Sequence, residues 1–227
     1  MPSLLSVNIG AAMASAHTDV FVTGIDKRSA GRPVYVRDPG DRGSGGSGLA
    51  GDAVCDLRHH GGHDQAVYAF AREDLDSWEA ELARTLDCGV FGENLTTQGL
   101  DLTEARIGER WKIGGECVLQ VTAPRIPCRT FAGWLEEQGW VRRFTERGAP
   151  GAYLRVLVPG SVSAGDEISI ERPAHAVTIG LAFRALTTEK ALLPSLLAAE
   201  ADLPEHVREQ ALDRRRLLTG LPDRQGG

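Results

Sequence analysis

What the 227 residues lack narrows the field first. Only four cysteines occur, Cys55, Cys88, Cys117 and Cys128, and no two form a CxxC pair. That excludes motif-type iron–sulfur ligation, a zinc ribbon and a thioredoxin-type redox pair. No apolar run approaches the about 18 residues of a membrane-spanning helix. The opening MPSLLSVNIG has no basic start ahead of an apolar stretch, so no secretory signal is expected. A GxxxxGK[ST] phosphate loop is absent, and no GxGxxG opens a helical pattern. With 25 cations against 31 acids the net charge is −6, and no overall basic field exists to draw nucleic acid or anionic lipid. Unpaired thiols without an export signal make the cytoplasm the expected compartment, with neither a nucleic acid nor a membrane as partner.

What is present fits an ordinary globular chain. Hydrophobic residues are 42% and charged residues 25%. The length corresponds to about 1.5 domains and is enough to bury a core without disulfides. Short apolar or alternating runs predict strands at 4–9, 20–22, 34–36, 66–70, 91–96, 110–113, 117–122, 153–158 and 167–170. Residues 73–84 carry Leu75, Trp78 and Leu82 at helical spacing, and 131–147 reads as one or two short helices broken near Gly139. Asp38 to Gly48 (DPGDRGSGGSG) reads as a flexible surface loop with almost nothing to bury. After Pro173 the pattern turns helical, at 178–186, 189–199 and 204–217, with Pro204 suited to a first helical position. The expected fold is mainly β with α: a mostly antiparallel, closed or nearly closed β-barrel domain over 1–173, and a small helical appendage over 174–227.

Three clusters hold chemistry-bearing residues. Arg58 to Gln65 (RHHGGHDQ) packs three of the six histidines and Asp64 directly before the strand at Ala66. Its two glycines let backbone approach a ligand and argue against a helix, so His59 and His63 do not share a helix face. A polar loop with hydrogen-bonded histidines is the plain alternative; the density of titratable groups beside a strand end favours a site. Phe91 to Thr96 (FGENLT) is weak alone, since it also suits a turn entering a strand. The third, Thr122 to Arg129 (TAPRIPCR), stiffens the backbone at one cysteine with two prolines, Pro124 and Pro127, and has Arg125 and Arg129 flanking it. Those cations and a helix start would stabilise a thiolate, which makes Cys128 the reactive thiol and leaves the other three as structural.

Taken in order, RHHGGHDQAVYAFARED, FGENLTT and PRIPCRT resemble the signatures of MOSC domains, the molybdenum-cofactor sulfurase C-terminal domain family, in its bacterial stand-alone form. TGIDKR (23–28) and IGERWKIGG (107–115) are similar as well, and the likeness runs over roughly residues 4–172. The resemblance implies a mostly antiparallel β-barrel and a molybdenum cofactor (molybdopterin), with Cys128 as the thiolate ligand to the metal. Lys27, Arg28, Arg125 and Arg129 are then the cations available to the pterin phosphate, and Asn94 and Thr96 supply neutral hydrogen bonds. His60 and Asp64 would lie at the mouth of the site as proton donors or orienting groups; His63 receives no role.

The implied activity is reduction of N-hydroxylated compounds (hydroxylamines, amidoximes, N-hydroxylated bases) by oxygen-atom transfer to molybdenum. Electrons would come from a separate donor protein, because no iron–sulfur, haem or dinucleotide motif is present. A carrier of cofactor or sulfur on Cys128 would use the same pocket without turnover. Two less favoured readings ignore the family: a zinc hydrolase on Cys55, His59 and His63, or a thiol enzyme pairing Cys128 with His60.

Overall fold

The computed structural model describes residues 1–219. The chain opens with β1 (Ser3–Gly10), the short β2 (Met13–Ala14) and β3 (Val22–Thr23), then β4 (Lys27–Ser29) and β5 (Val34–Val36). Next come β6 (Val67–Ala71), α1 (Arg72–Leu82), β7 (Leu95–Gln98), β8 (Arg110–Ile113) and β9 (Cys117–Pro124). The helices α2 (Arg129–Leu135) and α3 (Trp140–Arg147) precede β10 (Ala152–Val158), β11 (Gly160–Val162) and β12 (Ile168–Glu171). The chain ends in α4 (Ile179–Leu186), a 3-10 stretch over Lys190–Ala199 and α5 (Glu205–Thr219).

Eight strands form one sheet in the order β12, β8, β9, β10, β6, β7, β1, β4. Every pairing is antiparallel except β6 with β7, where α1 provides the crossover that parallel neighbours need. The fold is therefore mixed α/β around a large, mostly antiparallel sheet. A continuous ladder closing it into a barrel is not found among the described residues. The two ends do approach: Leu4 N donates to Asp166 O at 2.9 Å, Gly165 N donates to Leu4 O at 2.7 Å, and Ser3 bridges Glu167.

Strand β6 explains why the sheet is covered on both faces. All five residues are buried, and side chains alternate between the two sides. Val67, Ala69 and Ala71 join an aliphatic core with Leu119, Leu154 and Trp111, while Phe70 faces an aromatic core against α1, α2 and α3. The glycine before β10 makes that packing possible. Gly151 has φ +68°, and a Cβ there would stand 2.5 Å from Ala69 O.

The helical segment after residue 173 is built onto the sheet. Ile179, Ala182, Leu196 and Val207 lie in the same aliphatic core, and Thr178 caps α4 by accepting a hydrogen bond from Leu181 N at 3.1 Å. Three local expectations change for physical reasons. Where a helix is expected over 189–199, Lys190–Ala199 form a 3-10 stretch, with Pro194 inside unable to donate to an α-helical ladder. The strand expected from Phe91 begins only at Leu95, because Gly92 at φ +78° turns the chain first. The Asp38–Gly48 loop is tied down: Gly48 N donates to Ala66 O at 2.7 Å, and Gly62 N donates to Gly45 O at 3.1 Å. The break at Gly139 falls where expected, with φ +67° between α2 and α3.

The aromatic core centres on Phe144, whose ring meets Phe70, Trp78, Phe91, Phe131, Trp140 and Phe183. Phe144→Ala is expected to cost about 3–5 kcal/mol of unfolding free energy in urea titration, through lost contacts and a cavity. Leu218→Ala, on the exposed end of α5, should stay within about 0.5 kcal/mol.

Candidate active site

One cleft collects the sequence clusters. It encloses about 770 Å³, its open mouth included. Its walls come from the β2–β3 hairpin, the segment Ala53–Asp56, His60 and Gly61, Gln65 and Tyr68 at the start of β6, Gly92 and Asn94, and Arg125, Cys128 and Thr130. The walls meet closely because glycine has no Cβ: a side chain at Gly24 would stand 2.1 Å from Ala53 O.

Cys128 lines the cleft just ahead of α2, in extended backbone with φ −130°. Burial pushes its thiol up. The His60 hydrogen bond, the Arg125 charge and the Phe131 backbone N–H together overturn that, leaving the thiol lowered to about 6. Arg125 itself is buried; its guanidinium lies 3.7 Å from the Phe131 ring centre and 5.1 Å from that of Tyr68, and it donates to Phe91 O. The cation is held in place by aromatic faces and one carbonyl, and among the described residues no carboxylate pairs with it.

A buried polar network fixes the opposite part of the wall. Lys27 is ion-paired with the fully buried Asp52 side chain. Asp52 Oδ2 accepts from Asn94 Nδ2 at 2.9 Å, and Oδ1 accepts from Gly10 N at 2.8 Å. Asn94 Oδ1 in turn accepts from Tyr68 N at 3.2 Å. Glu93 is fully buried: its two oxygens accept from Gly89 N, from Phe91 N at 3.0 Å and from the Thr96 hydroxyl at 2.9 Å. Burial still raises the Glu93 carboxyl above its usual range.

The structure brings Lys27, His60, Asn94, Arg125 and Cys128 to the cleft and leaves four expected residues outside it. Asp64 pairs with Arg155 at 2.7 Å instead of facing the mouth. Thr96 is spent between Glu93 and Asn8, inside the sheet. Arg28 is 78% exposed and paired with Asp26; Arg129 is 68% exposed and paired with Asp19. The other two histidines of the cluster also turn away. His59 Nδ1 meets Asp56 at 2.8 Å, and His63 meets Asp38 at 2.6 Å and Asp41 at 3.0 Å. The zinc set of Cys55, His59 and His63 is not assembled, and no group of three His, Cys, Asp or Glu able to hold a metal occurs among the described residues. Asp56, Gln65, Tyr68 and Tyr153 received no role in the sequence reading and line the cleft, as does Cys55, expected as a structural thiol or, in a less favoured reading, a zinc ligand. Only Gln65 and Tyr68 carried a signal, as neighbours of the histidine cluster on the buried strand.

With the site described, comparison with known proteins gives its class. The MOSC domain family model matches residues 56–169. YflK of Bacillus subtilis is 34% identical over 169 residues, covering 74% of this chain and 72% of that protein. A protein named Reductase from Gibberella moniliformis is 29% identical over 174 residues, 75% of this chain but only 29% of its own length. The crystal structure of YiiM from Geobacillus stearothermophilus superposes with a TM-score of 0.75 at 26% identity, covering 94% of this chain and 99% of that one. This chain belongs to the MOSC family, which is named for the C-terminal domain of molybdenum cofactor sulfurase. No helix among the described residues is long and apolar enough to cross a membrane.

A thiol lowered to about 6 is about nine-tenths ionised at pH 7, against about one part in a hundred for an ordinary thiol near 9.0. Iodoacetamide should therefore label Cys128 with a rate that rises through a midpoint near pH 6, read by peptide mass spectrometry. His60→Ala should move that midpoint upward toward the ordinary thiol range. A wild-type midpoint above 8 would contradict the geometry.

Proposed function

We propose that this chain binds the molybdenum cofactor in the Cys128 cleft and reduces N-hydroxylated compounds, with electrons from a separate donor protein. The observation that carries the reading is the cleft-lining thiolate of Cys128, lowered to about 6 against a buried guanidinium. The donor set fits the group. One soft thiolate suits molybdenum whose other ligands come from a dithiolene. Of the cations considered for the phosphate, Lys27 and Arg125 line the cleft. The reductase name of the Gibberella relative supports an oxidoreductase class, although the match spans under a third of that protein.

When bound, the cofactor supplies two-electron oxygen-atom transfer. The chain's own residues do the rest. Cys128 would hold the metal as a thiolate, being already deprotonated at neutral pH. His60, hydrogen-bonded to the sulfur and lining the cleft, is placed to hold or pass a proton beside the reacting group. Ile25, Val54 and the Tyr68 and Tyr153 rings keep the wall apolar and limit water. The same reading takes the sheet as a barrel meeting at Ser3 and Glu167, the chain after residue 173 as a helical appendage, and the cytoplasm as the compartment; four free thiols support the last.

The test is direct. Protein from a cofactor-making host should co-purify molybdenum and a fluorescent pterin, and should reduce benzamidoxime with a chemical electron donor. Cys128→Ser should lower turnover by more than about 100-fold, beyond what altering a group behind a metal ligand usually brings. Full activity in metal-free protein would overturn the reading. The low thiol alone also suits a sulfur or cofactor carrier, and loaded protein that turns over no N-hydroxylated compound would favour that role.

A further inference from the structure

Two acceptor atoms in the cleft have no donor. Gln65, which ends the 3-10 turn His63–Gln65, lines the cleft, and its Oε1 is buried without a hydrogen-bond partner among the described residues. Asp56 also lines it. Asp56 Oδ2 takes the His59 ring at 2.8 Å, but Oδ1 is buried with no hydrogen bond, the Arg58 Nε being 3.9 Å away. A buried acceptor left unpaired costs stability until a donor arrives, so such atoms call for an explanation.

Among the described residues none donates to either atom, and the polar side chains that line the cleft with them hold other partners. Lys27 is taken by Asp52, Asn94 by Asp52 and the Asn8 carbonyl, and Arg125 by the Phe91 carbonyl. The His59 hydrogen bond holds the Asp56 carboxyl below its usual range, so at neutral pH it only accepts. Tyr68 and Tyr153, whose ring centres are 5.2 Å apart, line the same cleft. Unpaired acceptors beside aromatic walls suit a flat ring that carries N–H groups on one edge.

We infer that Gln65 and Asp56 form an acceptor pair that recognises the N–H-rich edge of an aminated nitrogen heterocycle or amidine bound in this cleft. The inference rests on the proposed function for the occupant's setting. Its chemistry has two sources, the aminopterin ring of the cofactor and the amino group of an amidoxime substrate. A site built to satisfy donors rejects the analogue that lacks them, because its acceptors stay orphaned.

Full-length protein from a host that makes no cofactor is titrated with pterin (2-amino-4-oxopteridine) and with lumazine, its 2,4-dioxo analogue, by fluorescence. Wild type should prefer pterin by about tenfold, the loss expected for one buried acceptor left unpaired. Gln65→Glu, still an acceptor, should keep the preference; Gln65→Met and Asp56→Asn should lose it. That result assigns the pair to the cofactor. If wild type shows no preference, but Gln65→Met raises KM about tenfold for benzamidoxime and not for acetophenone oxime, the pair reads the substrate. Neither result means the acceptors hold water only, and the inference is overturned; the wild-type titration decides this even if a variant fails to fold. A pterin preference in a protein that never acquires molybdenum would leave the acceptor pair standing and sink the reductase reading instead.

Discussion

The cleft depends on one buried ion pair and the amide beside it. Asp52 has no exposed side-chain surface, yet it takes the Lys27 ammonium, the Asn94 amide and the Gly10 N–H together. Those three donors come from β4, from the turn before β7 and from the end of β1, so a single carboxylate joins three segments distant in sequence. A buried charge is tolerated when its remaining lone pairs are satisfied, and removing one partner leaves the others stranded. The segment Ala53–Asp56, immediately after Asp52, supplies much of the cleft wall. Its position follows from where Asp52 is held, together with the hydrogen bond from Ala53 N to Gly10 O at 2.9 Å and the close approach of Gly24 to Ala53.

Electrostatics at Cys128 follows from a second arrangement of the same kind. Burial alone would make this thiol less acidic, as it does for Cys117 inside β9, which is pushed up to about 11. The two sulfurs differ in what surrounds them. Cys117 sits among aliphatic side chains with Asp166 as its nearest charge, while Cys128 has the His60 ring, the Arg125 guanidinium and the Phe131 N–H. Arg125 is effective because aromatic rings and a carbonyl, not a carboxylate, satisfy it. An acid in place of Tyr68 or Phe131 would neutralise the field that the thiolate needs.

Much of this was legible in the sequence, and what was not has identifiable causes. The apolar run at Ala66–Phe70 marked the central strand, found at Val67–Ala71, the Gly139 break separated α2 from α3, and the prolines and arginines beside Cys128 marked the reactive thiol. The positions that failed were those where a partner far along the chain decides. Arg129 has the right charge one residue from Cys128, but its side chain is drawn to Asp19 and the His17 carbonyl, 110 residues or more away. Thr96 shares its motif with Asn94, yet Asn94 stands in the turn before β7 and lines the cleft, while Thr96 lies within β7 and its hydroxyl is taken by Glu93. Asp52 carried no motif at all.

The histidine cluster shows how the backbone sorts chemically identical groups. Gly61 and Gly62 both have φ +80°, a conformation a side chain would strain, and a Cβ at Gly61 would meet the Gly45 and Gly46 carbonyls at 2.7 Å. The chain therefore turns sharply between His60 and His63 and presses its glycines onto the Asp38–Gly48 loop. That places His60 inward on the sulfur and leaves His63 outward between Asp38 and Asp41. His63 responds to its position: slight burial lowers it, but the two carboxylates outweigh this and raise it above the ordinary histidine value. A raised histidine binds its proton more tightly folded than unfolded. Its contribution to holding the loop is complete below the unfolded value of 6.5 and is lost as pH rises through the folded one. The side chain is about half exposed, so solvent screening keeps that contribution small. The loop that supports the cleft thus rests mainly on backbone hydrogen bonds at Gly45 and Gly48. The two glycines serve the cleft indirectly, by letting one histidine of three reach the thiol.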